Sequence, residues 1–172
     1  MDDLNQSLAE DLDHAFPLMV ERMGGRLYWG LRRMSGSHQE AEDLTQETLI
    51  RAYRALGGYD TGRITSLRLE PWVWTIALNL GRNHLRDRAR RPTFVGLMDD
   101  AAVSDPDLVE THAWDERLTG LSRAQRTAVV LKHVVGMGIE EISGITGRPA
   151  GTVKADIHRG LNRLRTIMEE EQ

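Results

Sequence analysis

Apolar residues recur at helical spacing along almost the whole chain, and no strand-like alternation lasts more than a few residues. Between residues 10 and 34 the apolar positions include Leu12, Phe16, Met19, Val20, Met23, Leu27 and Leu31. They predict a helix weakened near its middle by Gly24 and Gly25. A second helix is predicted from about Gln39 to Leu56, with acids early, arginines late and Gly57-Gly58 as the stop. Residues 59–70 read as a loop. Pro71 then suits the first position of a helix reaching about Arg91, because its missing N–H would have no partner there. Pro92 ends that helix, and residues 93–106, TFVGLMDDAAVSDP, read as a linker. Helices resume near Asp107. LSRAQR opens one of them with a capping box between Ser122 and Gln125, and Gly136 and Gly138 close it. The fold class that follows is all-α, with two small helical domains, residues 1–92 and 107–172, joined by a flexible acidic linker, 93–106.

The stretch EEISGITGRPAGTVKADIHRGLNRLR, residues 140–165, reads as a helix-turn-helix. Ile139, Ile142 and Ile145 lie on one side of a short helix, Thr146-Gly147 makes the turn, and Pro149 starts a long helix. Val153, Ile157, Leu161, Leu164 and Met168 share one face of that helix. At about 100° per residue, Ala155, His158, Arg159 and Asn162 fall opposite, with Thr152 and Lys154 at the margins. A helix with short, donor-rich side chains on its outer face fits the major groove of DNA. Its free N-terminal amides also favour phosphate.

The helix from Pro71 to Arg91 carries two apolar stripes, Val73/Ile76/Ala77/Leu80 and Trp74/Leu78/Leu85. Between them Thr75, Asn79, Arg82, Asn83, Arg86 and Arg90 fall within about 100° of arc. Packing on two sides would leave this polar strip as a narrow ridge, built from side chains that bond phosphates and base edges. The preceding loop adds Arg63, Thr65, Ser66 and Arg68. Trp74 fits a core position.

Composition narrows the function further. The 172 residues carry a formal charge of -4, yet the charge is uneven. Asp99 to Glu116 holds seven acids and no lysine or arginine. Basic residues gather at Arg82, Arg86, Arg88, Arg90 and Arg91, and again at Arg148, Lys154, Arg159, Arg163 and Arg165. Two basic patches in an acidic chain point to two contacts with an anionic partner. With no cysteine there is no disulfide, thiolate metal site or cysteine nucleophile. The six histidines form no HxxxH pair, and no Gly-rich phosphate loop follows a strand, so no enzyme, metal or cofactor is expected. No apolar run approaches the ~20 residues of a membrane helix, and the acidic start lacks a secretory signal, so a cytoplasmic protein without membrane insertion is expected.

Four motifs, AEDLTQETLIRAYRAL, PWVWTIALNLGRNHLRDRARRP, LSRAQRTAVVLKHVVGMGIEEISGITG and GTVKADIHRGLNRLR, occur in that order. Together they resemble the extracytoplasmic-function class of bacterial sigma factors, over about residues 12–168. The resemblance implies a chain that binds core RNA polymerase and directs it to promoter DNA. It implies clamp-helix contacts through Asp43, Gln46 and Glu47. It also implies melting and reading of a -10 element by the 59–70 segment, Arg63 included, and by Asn79, Arg82, Asn83 and Arg86. Reading of a -35 element would fall to Thr152, Lys154, Ala155, His158, Arg159 and Asn162. The acidic linker would thread the polymerase's RNA path, and an anti-sigma factor would hold the chain inactive. Ser143 stands where the family usually has Ala, and its hydroxyl is expected to bond its own helix. Asp156 makes the recognition helix less basic. The alternative is a stand-alone helix-turn-helix regulator with a sensor domain in residues 1–92, a domain that would have no need of the Asn/Arg ridge. A sigma-like decoy is a third reading.

Overall fold

The computed structural model describes the backbone of residues 2–90 and 106–171, with side chains over 3–83 and 113–171. Regular structure among these residues is helical throughout: α1 Asp2–Glu10, α2 Leu12–Ser35, α3 His38–Gly57, α4 Thr61–Ser66, α5 Leu69–Arg90, α6 Pro106–Thr119, α7 Arg123–His133, α8 Ile139–Thr146 and α9 Ala150–Glu170. The linker expected at 93–106 lies outside the described residues as far as 105, and Pro106 opens α6.

Local chemistry explains most boundaries. Asp11, Ser37, Asp60 and Ser122 each accept a backbone N–H at a helix start. The Ser122–Gln125 capping box forms as the sequence predicts. Gly36 ends α2 in the left-handed region at φ 75°.

One expected helix holds in full, and two other expectations need correction. Gly24 and Gly25 do not interrupt α2, because Met19, Leu27 and Leu31 bury its inner face against α3 and outweigh the glycine cost of about 1 kcal/mol each. The 59–70 segment is not all loop, since Asp60 caps the six-residue α4 within it. And α5 begins at Leu69, so Pro71 is its third residue. The missing N–H still falls in the first turn, where no helical acceptor exists.

The two halves share one core. An apolar cluster runs from Leu4 and Leu8 through Leu27, Leu56, Val73 and Trp74 into Ala128, Leu131, Val135, Ile142 and Ile157. α2 packs on α6 and α7, and α5 on α8. Gly30 sits where α2 meets the indole of Trp74; a Cβ there would lie 2.4 Å from Trp74 Cη2 and 3.2 Å from Val135 Cγ2. Polar contacts frame this seam. Asp115 takes Arg32 at 2.9 Å and Arg33 at 3.3 Å. Arg126 donates to the Met34 carbonyl at 3.1 Å, Arg26 to the Val135 carbonyl, and Arg68 pairs with Glu141 at 2.6 Å.

The apolar face of α9 is buried only in part. Val153, Ile157 and Leu164 are in the core, whereas Leu161 and Met168 are each 37% exposed. These two line a groove of about 670 Å³ with Trp114, Leu118, Val130 and Val134.

Gly30→Ala should destabilise the fold by about 1–3 kcal/mol, since the seam cannot yield a methyl's space without moving Trp74. Gly25→Ala, with open space around its Cβ position, should do the reverse by about 0.5–1 kcal/mol. Urea unfolding of both variants measures the contrast.

Candidate nucleic-acid interface

The helix-turn-helix is built around a buried charge. Ile142 and Ile145 anchor α8 in the core. Gly147, at φ 69°, turns the chain and donates its N–H to Ser143 O at 2.9 Å. The Ser143 hydroxyl donates across the turn to Arg148 O at 2.7 Å, rather than to a carbonyl of its own helix as expected. Asp156, 4% exposed, lies inward. Its Oδ2 accepts from Arg148 Nη2 and Nε at 2.7 and 3.1 Å, and its Oδ1 from Arg159 Nη2 at 2.9 Å. Asp156 is therefore not a recognition residue that dilutes the basic face. It is a strut that fixes the turn to α9 and aims two guanidinium groups.

On the outer side of α9, Lys154, His158, Arg159 and Asn162 are exposed and Thr152 and Ala155 half-buried, so the predicted set is presented together. His158 Nδ1 and Asn162 Nδ2 are 3.3 Å apart, and Arg165 donates to Asn162 Oδ1 at 3.3 Å. The face presents fixed donors and a long cation, the chemistry that reads base edges and phosphates.

The second surface belongs to α4 and α5. Asn79, Arg82 and Asn83 are exposed on α5, between the buried stripe of Val73, Ala77 and Leu80 on one side and Trp74 on the other. Arg82 Nε donates to Leu78 O at 3.4 Å. The side chain of Arg86 lies outside the described residues, as do those of Leu85 and Arg90. Arg63, on α4, is exposed and stacks 3.6 Å above the ring of Tyr59, which in turn lies 6.0 Å from Trp72. This is a cation on an aromatic floor, suited to an unstacked base.

Asp43, Gln46 and Glu47 project from α3 into a shallow cavity of about 420 Å³, shared with Leu80 and Asn83. Gln39 Nε2 donates to Asp43 at 3.3 Å, and Glu47 pairs with Arg51 at 2.6 Å. The acid patch and the α5 strip are thus neighbours.

Sequence reading missed the seam. Asp115 counts among the seven acids of the Asp99–Glu116 run, yet it is 4% exposed between Arg32 and Arg33. Arg68, grouped with the cations of the 59–70 segment, is held by Glu141 of α8. Burial lowers the pKa of Arg126 below the usual arginine value, because its guanidinium enters the seam to reach Met34 O. A pairing of arginine with aspartate some 80 residues away leaves no local mark in the sequence.

Removing the strut is measurable. Asp156→Ala should cost about 1–2 kcal/mol, at the low end for a buried carboxylate because Arg148 and Arg159 are half-exposed and can rehydrate. Denaturant unfolding reads the loss.

The family models for Sigma-70 region 2 and Sigma-70 region 4 match residues 19–91 and 111–164. ECF RNA polymerase sigma factor SigE of Mycolicibacterium smegmatis is 34% identical over 87% of this chain, which spans 60% of that longer protein. ECF RNA polymerase sigma factor SigW of Bacillus subtilis is 30% identical, with 91% of this chain and 90% of that one covered. The fold matches that of sigma factor RpoE of Bartonella quintana, solved with the anti-sigma factor NepR. The TM-score is 0.71 at 24% identity, over 91% of this chain and 98% of that one. Both halves of the chain, and the order in which they come, therefore agree on one assignment: it belongs to the extracytoplasmic-function family of RNA polymerase sigma factors.

Proposed function

We propose that residues 1–92 engage the polymerase clamp and the -10 element while residues 107–172 read the -35 element. The observation that carries this reading is the separation of two exposed cation-and-amide faces onto different halves of one chain. Arg159, Lys154 and His158, with Thr152, Ala155 and Asn162 beside them, face a duplex groove from α9. Asn79, Arg82, Asn83 and the stacked Arg63 face a strand-separated segment from α5 and α4. Asp43, Gln46 and Glu47 are the clamp contact, and their shared cavity with Asn83 sets the enzyme beside the strand being read. The chain works by binding in the cytoplasm, where polymerase and promoter are, and performs no chemistry of its own.

Both faces cannot serve one promoter while the halves are closed. A compact chain of this length has a radius of gyration of about 16 Å, hence a width of about 40 Å. Elements centred near -35 and -10 lie about 25 base pairs, or about 85 Å, apart on duplex. The halves must part, and an extended chain over residues 91–105 reaches about 50 Å. An anti-sigma partner would act by holding the seam shut. That RpoE, a sigma factor of the same fold, was solved with the anti-sigma factor NepR supports a partner of the anti-sigma class.

Arg159→Ala should reduce -35-dependent transcription about tenfold and leave use of a -10 element opened in advance intact, whereas Asn79→Ala should do the opposite. Run-off transcription with core polymerase on templates altered at one element checks both. Equal losses at both elements would contradict the division of labour.

A further inference from the structure

Residues 2–10 lie outside the stretch matched by the region 2 family model, yet α1 packs against α2 and α4. Leu4 and Leu8 are 4% and 1% exposed and meet the same core as Ile64 of α4. Between them Asn5 is 7% exposed, one of few buried polar residues among those described. Its Nδ2 reaches three carbonyls at the end of α4: Leu67 O at 2.7 Å, Ile64 O at 3.2 Å and Thr65 O at 3.4 Å. Ile64 O also accepts the Leu67 N–H at 3.1 Å, and Thr65 O and Leu67 O lie where α4 stops and its carbonyls run out of helical partners. The amide thus supplies from a distant part of the chain what a capping residue supplies locally.

The Asn5 Oδ1 is buried and has no hydrogen-bond partner. A buried carbonyl oxygen left unpaired is unfavourable. The side chain is therefore fitted to this place as a donor only, and its donors go to α4 alone.

The consequence falls on the turn into α5. Leu67 is extended at φ -70°, ψ 131°, and Leu69 starts α5. The bond to Leu67 O is the shortest of the three, so Asn5 pins the residue at which the chain changes direction. Arg63, Thr65 and Ser66 sit exposed on the braced segment. A six-residue helix is too short to hold its own geometry. Its position relative to α5 therefore depends on contacts from outside: Asn5 supplies the hydrogen bonds at its end, and Glu141 of α8 holds Arg68 in the turn that follows.

We propose that Asn5 is a positioning residue for promoter opening. It holds α4 at a fixed height and angle beside the α5 strip, so that Arg63 and its neighbours meet the emerging -10 strand. It touches no DNA itself. This rests on the assignment of α4 and α5 to the -10 element.

The test compares two templates with the full chain and core polymerase. One is a duplex promoter mapped from transcripts that the wild-type chain induces, and the other the same promoter with the -10 segment already mismatched. Asn5→Leu keeps the volume and removes the donors; Asn5→Asp keeps the shape and turns acceptors toward the carbonyls. Both should lower the duplex-to-mismatched transcription ratio about tenfold, the factor that goes with one to two lost hydrogen bonds. Because both templates sample the same protein, the ratio cancels any change in the folded fraction. Permanganate reactivity of -10 thymines on the duplex should fall in parallel. Equal losses on both templates would make Asn5 an ordinary fold residue and overturn the proposal, as would an unchanged ratio. If the wild-type chain gave no promoter-specific transcript on either template, the -10 assignment itself would fail, a result distinct from both.

Discussion

The closed seam between the two halves governs everything the molecule can do. It joins α2 and α5 to α7 and α8 through one continuous apolar cluster, with Gly30 allowing the indole of Trp74 and Val135 to approach the α2 backbone. That apolar contact is the stabilising part. The ionic part is close to neutral. Asp115, Arg32 and Arg33 give up most of their water, and the Coulomb attraction in such a site roughly offsets the desolvation. Arg32 Nη1 and Arg126 Nε are buried without a hydrogen-bond partner, a further cost. Specific but incompletely satisfied, the seam holds the halves in register without locking them. Its mixed character is that of interdomain interfaces that open.

Closure leaves the two proposed reading surfaces exposed, although Arg82 lines a cavity with Arg123 and Arg148 of the other half. It constrains where they point. The α9 face keeps its order because Asp156 ties Arg148 and Arg159 together from within. The α4–α5 surface keeps its order because Asn5 and the α5 core stripes hold it from behind. In the proposed reading each surface is held chiefly from within its own half, and the distance between them has to change. A chain built this way can lose the seam without losing either site.

The legible parts of the sequence were those with a local cause. Periodicity marks the helices, Ser122 and Gln125 mark a capped start, and Gly147 marks the turn before α9. The outer residues of α9 and α5 could be named because opposite faces of a helix follow from 100° per residue. What escaped depended on contacts across the fold. Asp115 reads as one more acid of a run because nothing nearby in sequence reveals Arg32 and Arg33, and Asp156, with Arg148 and Arg159 close by in sequence, reads as part of the recognition face because only packing turns it inward. α4 read as loop because six residues carry too little pattern, and its brace is 59–62 residues away. Leu161 and Met168 read as core because periodicity identifies an apolar face but not whether anything covers it.

The central claim is that the halves separate when the chain works. With no native cysteine, Arg68→Cys and Glu141→Cys place a unique thiol pair across the seam at the site of an existing contact. Joined by a short reducible crosslinker, this variant should bind core polymerase poorly and give no promoter-specific run-off transcript, and reduction should restore transcription. Full transcription from the crosslinked chain would mean that the closed form initiates directly, and the account would be wrong.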